Sequence, residues 1–143
     1  MLKSLRYIDK ASNFFDKIIV LGTSDKINRT ALEHKKVWAL LDPENAHKDE
    51  RDYDSYRNSG FNHVLCKIAM ENKKIILISL DELKDKKQLG RAIKNLKLCK
   101  KYKTPAFLVN FTEDVSDLKS KFEIKEILRV LMNGEHFEHV KID

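Results

Sequence analysis

The sequence predicts an α/β domain built on a parallel sheet, and three observations carry that expectation. Four short apolar runs, KIIVLG, VWALLD, KIILIS and AFLVN, are continuous rather than alternating, as strands covered on both faces are. The segments between them place apolar residues three and four apart, the helical period. Only 4 Gly and 2 Pro interrupt the 143 residues, so little breaks regular structure. Strands separated by helices describe a parallel sheet covered on both faces, either open or an incomplete barrel, with right-handed crossovers.

Leu5, Ile8 and Phe15 predict an N-terminal helix ending near Asp16. The first strand is Ile18 to Leu21, closed by Gly22. Ser24 is a natural N-cap for the helix that follows in SDKINRTALEHKK. A second strand, Val37 to Leu41, stops at Asp42-Pro43. Residues 44–58 are polar, mixed in charge and without apolar period, which predicts a long surface loop. In the next helix Phe61, Val64, Leu65, Ile68 and Ala69 form one apolar face; Asn58 or Ser59 is placed to cap its start and Asn72 to stop it. Ile75 to Ser79 is the third strand. A helix from about Lys86 to Tyr102 should turn Leu89, Ile93, Leu96 and Cys99 inward. Pro105 opens the fourth strand, Ala106 to Asn110. A last helix, about Phe122 to Met132, ends at Asn133-Gly134, and the tail adds one more short strand.

The length suits a single domain, 1–143, with one sizeable core. No apolar run approaches the roughly 20 residues of a membrane span, and the N-terminus carries charge where a signal peptide needs an apolar core. Cys66 and Cys99, far apart and inside helices, read as buried thiols of a reducing compartment rather than a disulfide. A cytoplasmic location is expected. The 35% of charged residues also suits a heat-tolerant surface.

The formal net charge is +6, and its distribution is uneven. Between Lys73 and Lys103 there are 11 Lys/Arg against 3 Asp/Glu, an excess of 8, whereas the other residues carry 17 against 19. The run KKQLGRAIKNLKLCKKYK, Lys86 to Lys103, holds eight basic residues and no acidic one. On a helix, Arg91, Lys94 and Lys101 line one flank with Lys97 and Lys100 close by, a row able to follow a phosphate backbone without reading sequence. A lysine-rich solvated face has the same appearance.

Other chemistry has less support. His136 and His139 could meet on a helix but not on a strand, and no His-x-His, Cys-x-x-Cys or His-Glu-x-x-His occurs, so no metal ligands are assigned. His63 and Cys66 share a helical face without a third group to orient them, which argues against a nucleophile pair. Asp42 and Glu44 follow a strand end, where α/β sites lie, but a strand closed by Asp-Pro-Glu is also a plain turn. No catalytic residue is assigned.

Two blocks in this order, SGFNHVLCKIAMENKKIILIS and GRAIKNLKLCKKYKTPAFLVNF, resemble the archaeal ribonuclease P protein component 3 family. The family's Ser-Gly-x-Asn-His start is matched by Ser59, Gly60, Asn62 and His63. Its basic-helix pattern is matched by Arg91, Asn95, Lys97, Leu98, Cys99, Lys101 and Tyr102, ahead of Pro105. LLDPE resembles the family's strand and His-Pro-Glu turn, with Asp42 in place of His. The resemblance spans about residues 37 to 132. FTEDVSD stands where the family tends to carry a Ser-Gly-Ala-basic loop, and 44–58 is a local elaboration. Family members are longer, with the difference expected on the N-terminal side.

The resemblance implies a TIM-barrel-like fold of the polymerase-and-histidinol-phosphatase type, here an incomplete barrel. It also implies a non-catalytic subunit supporting the RNA of ribonuclease P in removing 5′ leaders from precursor tRNA. Partners are then the ribonuclease P RNA and protein component 2, with precursor tRNA reached indirectly, and no membrane. The chain would bind no cofactor itself, Mg²⁺ belonging to the RNA. Arg57, Arg91, Lys94, Lys97, Lys100 and Lys101 are expected to face RNA or the partner subunit. Ser59, Gly60, Asn62, His63 and Asn95 are expected to hold helix starts and loops. The alternatives are a small metal-dependent hydrolase on the same type of barrel, and a barrel fragment that binds only protein.

Overall fold

The computed structural model describes residues 17–53, 56–110, 121–131 and 140–142. The expected N-terminal helix, the FTEDVSD segment, His136 and His139 lie outside the described residues.

Strand β1 (Ile18–Leu21) leads to helix α1 (Asp25–Glu33), β2 (Val37–Leu41) and a 3₁₀ turn (Pro43–His47). Then come α2 (His63–Glu71), β3 (Ile75–Ser79), a second 3₁₀ turn (Leu80–Lys84), α3 (Lys86–Tyr102), β4 (Ala106–Val109), α4 (Lys121–Leu131) and β5 (Val140–Ile142). The strands form one five-stranded sheet in the order β1-β2-β3-β4-β5, every neighbouring pair parallel. The tail strand therefore exists as expected, pairing Ala106 with Val140.

The winding decides which face the helices cover. When each strand lies beside its sequence neighbour and every crossover has one hand, all connecting helices fall on the same face. Accordingly one apolar cluster joins Val20, Leu40, Ile76, Ala106 and Leu108 to residues of all four helices, among them Leu32, Leu65, Leu96 and Ile124. Residues of opposite parity, the row Leu21–Leu41–Leu77–Phe107, lie on the second face. Leu77 is buried there, while Leu21 is 47% exposed. Of the cover expected on both faces, the described helices supply one.

Local chemistry fixes the element ends. Ser24 caps α1 by accepting from the Ile27 amide (3.2 Å), as expected. Asp85 caps α3 by accepting from the amides of Lys87 (2.8 Å) and Gln88 (3.2 Å). Helix α2 is capped by Asn62, whose side chain accepts from the Leu65 amide at 3.0 Å, not by Asn58 or Ser59. The residues before it are engaged elsewhere: Gly60 is left-handed (φ 65°), the Ser59 hydroxyl donates to the Phe61 carbonyl and the Asn58 amide group donates to the Arg51 carbonyl. Asn72 ends α2 as expected, and its amide group donates to the Leu32 carbonyl at 3.0 Å, tying α2 to α1. Asp42 adopts a left-handed conformation (φ 48°) at the end of β2. Its carboxylate accepts from the Ser79 amide (2.7 Å) and hydroxyl (2.8 Å), joining the carboxyl ends of β2 and β3.

Candidate nucleic-acid interface

Helix α3 presents three faces rather than two. Ala92, Leu96 and Cys99 enter the apolar core. Gln88, Arg91 and Asn95 are buried as well, although all three are polar. Lys97 and Lys101 are exposed. Leu89 and Ile93, expected inward, are only half-buried, because the inward arc is centred on residues 88, 91, 92, 95, 96 and 99.

What buries the polar arc is residues 43–53 and 56–60, which lie along α3 as a strap. This segment has little regular structure of its own, so its backbone carbonyls need donors from elsewhere. The helix supplies them. Arg91 donates from Nη1 to the His47 carbonyl (2.6 Å), from Nη2 to the Glu50 carbonyl (2.9 Å) and from Nε to the Asp52 carboxylate (3.0 Å). Lys87 Nζ donates to the carbonyls of Lys48 (2.6 Å) and Glu50 (3.2 Å), and Lys94 Nζ to that of Arg57 (2.7 Å). Gln88 reaches Asn45 Oδ1 at 2.9 Å, and Asn95 Nδ2 reaches the Ser59 carbonyl at 3.0 Å and Glu44 Oε2 at 3.3 Å. Residues 87, 88, 91, 94 and 95 recur at helical spacing, so one stripe of α3 makes all these bonds to the strap.

Asp52 closes this arrangement. Burial pushes its carboxyl pKa up, but hydrogen bonds from Arg91 and the Asn58 amide outweigh burial and hold it below the usual carboxylate value. On its other side the strap is tied to α1 through His47, whose Nε2 lies 2.8 Å from Asp25 and whose Nδ1 lies 2.9 Å from Glu50. Burial lowers the imidazole pKa, yet Glu50 and Asp25 together raise it above its ordinary value.

The six cations expected to face RNA or a partner are therefore not equivalent. Arg91 is corrected outright: its side chain is fully buried, because its guanidinium serves Asp52 and the strap carbonyls. Lys94 is half-buried, bonded to the strap and 4.0 Å from the Tyr56 ring centre, and burial lowers its pKa. Lys100 is half-buried. Arg57, Lys97 and Lys101 are exposed and, with Lys94, line one groove of about 950 Å³. Tyr53, Tyr56, Gly90 and Asp52 also line it. The 44–58 surface loop is corrected in part, since Glu44 is fully buried and residues 43–47 form a 3₁₀ turn, while residues 48–51 are exposed.

Of the motif residues, Ser59, Gly60, Asn62 and Asn95 hold loops and a helix start, whereas His63 is corrected, its side chain lying exposed beside Tyr102. Gly60 has φ +65°, and a Cβ there would sit 2.0 Å from the Pro43 carbonyl oxygen, so only glycine fits. Asn28 donates to both the Pro43 (3.1 Å) and Gly60 (2.8 Å) carbonyls, and the Ser59 hydroxyl donates to the Phe61 carbonyl (3.1 Å). Asn95 joins α3 to the turn at Ser59. His63 is exposed, its ring centre 6.3 Å from that of Tyr102, away from any partnership with buried Cys66. Cys66 and Cys99 are free, buried thiols as expected. Contact with Cys66 and burial push the Cys99 thiol well above its ordinary pKa, which keeps it protonated and unreactive. Among the described residues no group of three or more His, Cys, Asp or Glu is arranged to hold a metal ion. No described helix is long and apolar enough to cross a membrane.

Sequence reasoning missed Asp52, Tyr53, Tyr56, Lys87 and Gln88. The signal for three of them was present in RDYDSYR, where aromatic and charged residues alternate.

Comparison with known proteins supports the resemblance. The chain is 28% identical over 134 residues to ribonuclease P protein component 3 of Methanococcus vannielii, covering 90% of this chain and 54% of that protein. It is 31% identical over 139 residues to the Methanocaldococcus jannaschii protein of the same name, covering 91% and 55%. In structure it matches a chain of the cryo-EM structure of archaeal ribonuclease P with mature tRNA, with TM-score 0.75 and 29% identity. That match covers 92% of this chain and 56% of the other. The chain is a relative of the archaeal ribonuclease P protein component 3 family. It spans about half the length of the curated relatives it matches. The likeness to component 3 proteins extends beyond residues 37 to 132, the stretch on which the motifs lie. No protein-family model matches the chain.

Proposed function

We propose that this chain acts as a non-catalytic protein subunit of ribonuclease P, supporting the RNA subunit in removing 5′ leaders from precursor tRNA. The observation that carries this reading is its likeness, over 92% of its length, to a chain of archaeal ribonuclease P with mature tRNA. The exposed cations Arg57, Lys97 and Lys101, gathered in one groove, suit contact with RNA phosphates. Ribonuclease P RNA and protein component 2 are the partners this reading assigns, with precursor tRNA reached indirectly. The chain needs no cofactor of its own on this reading, Mg²⁺ being the RNA's, and it works in the cytoplasm as a single domain.

The same reading makes the sheet an arc of a TIM-barrel-like structure. Strictly sequential parallel order, helices on one face and an apolar row on the other are what such an arc requires. The interior layer would then include Leu21, Leu41, Leu77 and Phe107.

Reconstitution tests the function. Holoenzyme assembled from the RNA and the remaining protein subunits should cleave precursor tRNA faster, or at lower Mg²⁺, when this chain is added. Equal cleavage with and without it refutes the proposal.

A further inference from the structure

We infer that the groove between the strap and α3 receives an unpaired stretch of RNA, its bases stacked on Tyr53 and Tyr56 and its phosphates held by Arg57, Lys97 and Lys101. This rests on the RNA-binding reading above and adds to it the kind of RNA and the residues that select it.

The tyrosines carry the inference. Tyr53 and Tyr56 exchange two backbone hydrogen bonds, of 2.9 and 3.0 Å, as an antiparallel pair. Residues paired in that way project their side chains to the same face. Both residues are nevertheless exposed, Tyr53 at 72% and Tyr56 at 54%, and Lys94 Nζ stands over the Tyr56 ring, 4.0 Å from its centre. Two exposed rings on one side of a groove, on residues paired through their backbones, form a stacking platform, and a base can use it only if it has left its own helix. A duplex would offer the platform nothing.

The charges fit the same ligand. Among the described residues, Arg57, Lys94, Lys97 and Lys101 line the groove with one carboxylate, Asp52, which is ion-paired with Arg91. Tyrosine and arginine are common where proteins pack on proteins but lysine is depleted there, so it is the three lysines of the groove that favour a phosphate-bearing ligand. The groove's floor is shaped for the cation nearest the tyrosines. Gly90 lies in mid-helix, and a Cβ there would stand 1.8 Å from an Arg57 guanidinium nitrogen. The missing side chain lets that guanidinium lie against α3 beside the platform. The volume, about 950 Å³, is at the upper end for small-ligand sites, which run to about 1,000 Å³.

The test uses the full chain and a short single-stranded RNA containing 2-aminopurine, beside a duplex of the same sequence and length. The single strand should bind more tightly, and its fluorescence should be quenched on binding. Tyr53→Ala and Tyr56→Ala should each weaken single-strand binding roughly five- to one-hundredfold, relieve the quenching and spare the duplex. Tyr→Phe at either position should retain both signals, and because the rings are exposed the circular dichroism should not change. Folded alanine variants that bind both RNAs as the parent does, or lose both equally, overturn the inference while leaving phosphate binding intact. Displacement of the RNA by polyglutamate, dependent on the same two tyrosines, would assign the groove to an acidic protein segment and overturn it too. Should reconstituted cleavage prove indifferent to this chain, the ribonuclease P reading fails, whereas these measurements on the isolated chain still decide the groove.

Discussion

Arg91 and Lys97 sit on the same helix less than two turns apart and have opposite fates. A guanidinium has five donors in a planar fork, so it can be buried if enough acceptors surround it. Here one carboxylate and two strap carbonyls do so. An ammonium on a flexible stem has no such match, and Lys97 stays in water. Arg91→Met should destabilise the fold by about 3 kcal/mol or more, because Asp52 loses its charge partner in a partly buried place. Lys97→Gln and Lys101→Gln should leave the unfolding midpoint within about 0.5 kcal/mol and each lower the slope of log affinity against log salt by about 1. Denaturant unfolding and RNA titration at several salt concentrations check both. A second pair of residues separates strain from space. Gly60→Ala meets backbone at a left-handed φ and should cost more than about 2 kcal/mol. Gly90→Ala meets only the movable end of Arg57, so it should stabilise α3 by up to about 1 kcal/mol while weakening RNA binding.

The strap is an element made by others. Beside its internal turns and the Asn28 bonds to Pro43 and Gly60, it is held by the Arg91–Asp52 ion pair with α3 on one side and by the His47–Asp25 contact with α1 on the other. Both ties titrate, in opposite senses. The imidazole pKa of His47 is raised in the folded state, so its contribution is complete below about pH 6.5 and is lost as pH rises through the folded value. Asp25 and Glu50 are mostly exposed, which limits this tie to less than about 1 kcal/mol. Asp52 has a lowered pKa, so its contribution is present above about pH 4 and is lost as pH falls through the folded value. Hydrogen exchange of the strap amides, corrected for intrinsic rate, should show protection falling modestly between pH 6 and 8.5. His47→Gln should remove that trend and leave the loss at low pH in place.

At the scale of the whole molecule, the order of winding is the controlling fact. A sheet that reverses its winding direction receives helices on both faces, whereas this one runs β1 to β5 without reversal and gathers its described helices on one. The two faces should therefore differ in energetic weight. Leu40→Ala, on the helix-covered face and fully buried, should cost about 2–5 kcal/mol. Leu21→Ala, on the second face and 47% exposed, should cost less than about 1 kcal/mol in the isolated chain. Chemical denaturation of the two variants distinguishes them. Equal losses would mean that the second face is as fully packed as the first.

By itself the sequence determined the elements, because continuous apolar runs, helical periodicity and caps are local properties of neighbouring residues. β1, β2 and β3 begin and end where their apolar runs do, Ser24 and Asn72 act as read, and SGFNHVL together with the basic helix pattern pointed to component 3. It also located the positive charge on α3. Only the tertiary structure decided which of those charges face solvent, since that depends on a polar segment 37 to 51 residues earlier folding back along the helix. Hydrophobic period cannot announce a buried arc made of Gln88, Arg91 and Asn95, because those residues are buried by hydrogen bonding rather than by aversion to water. For the same reason the two tyrosines passed as loop residues until a backbone pairing set them side by side over the groove.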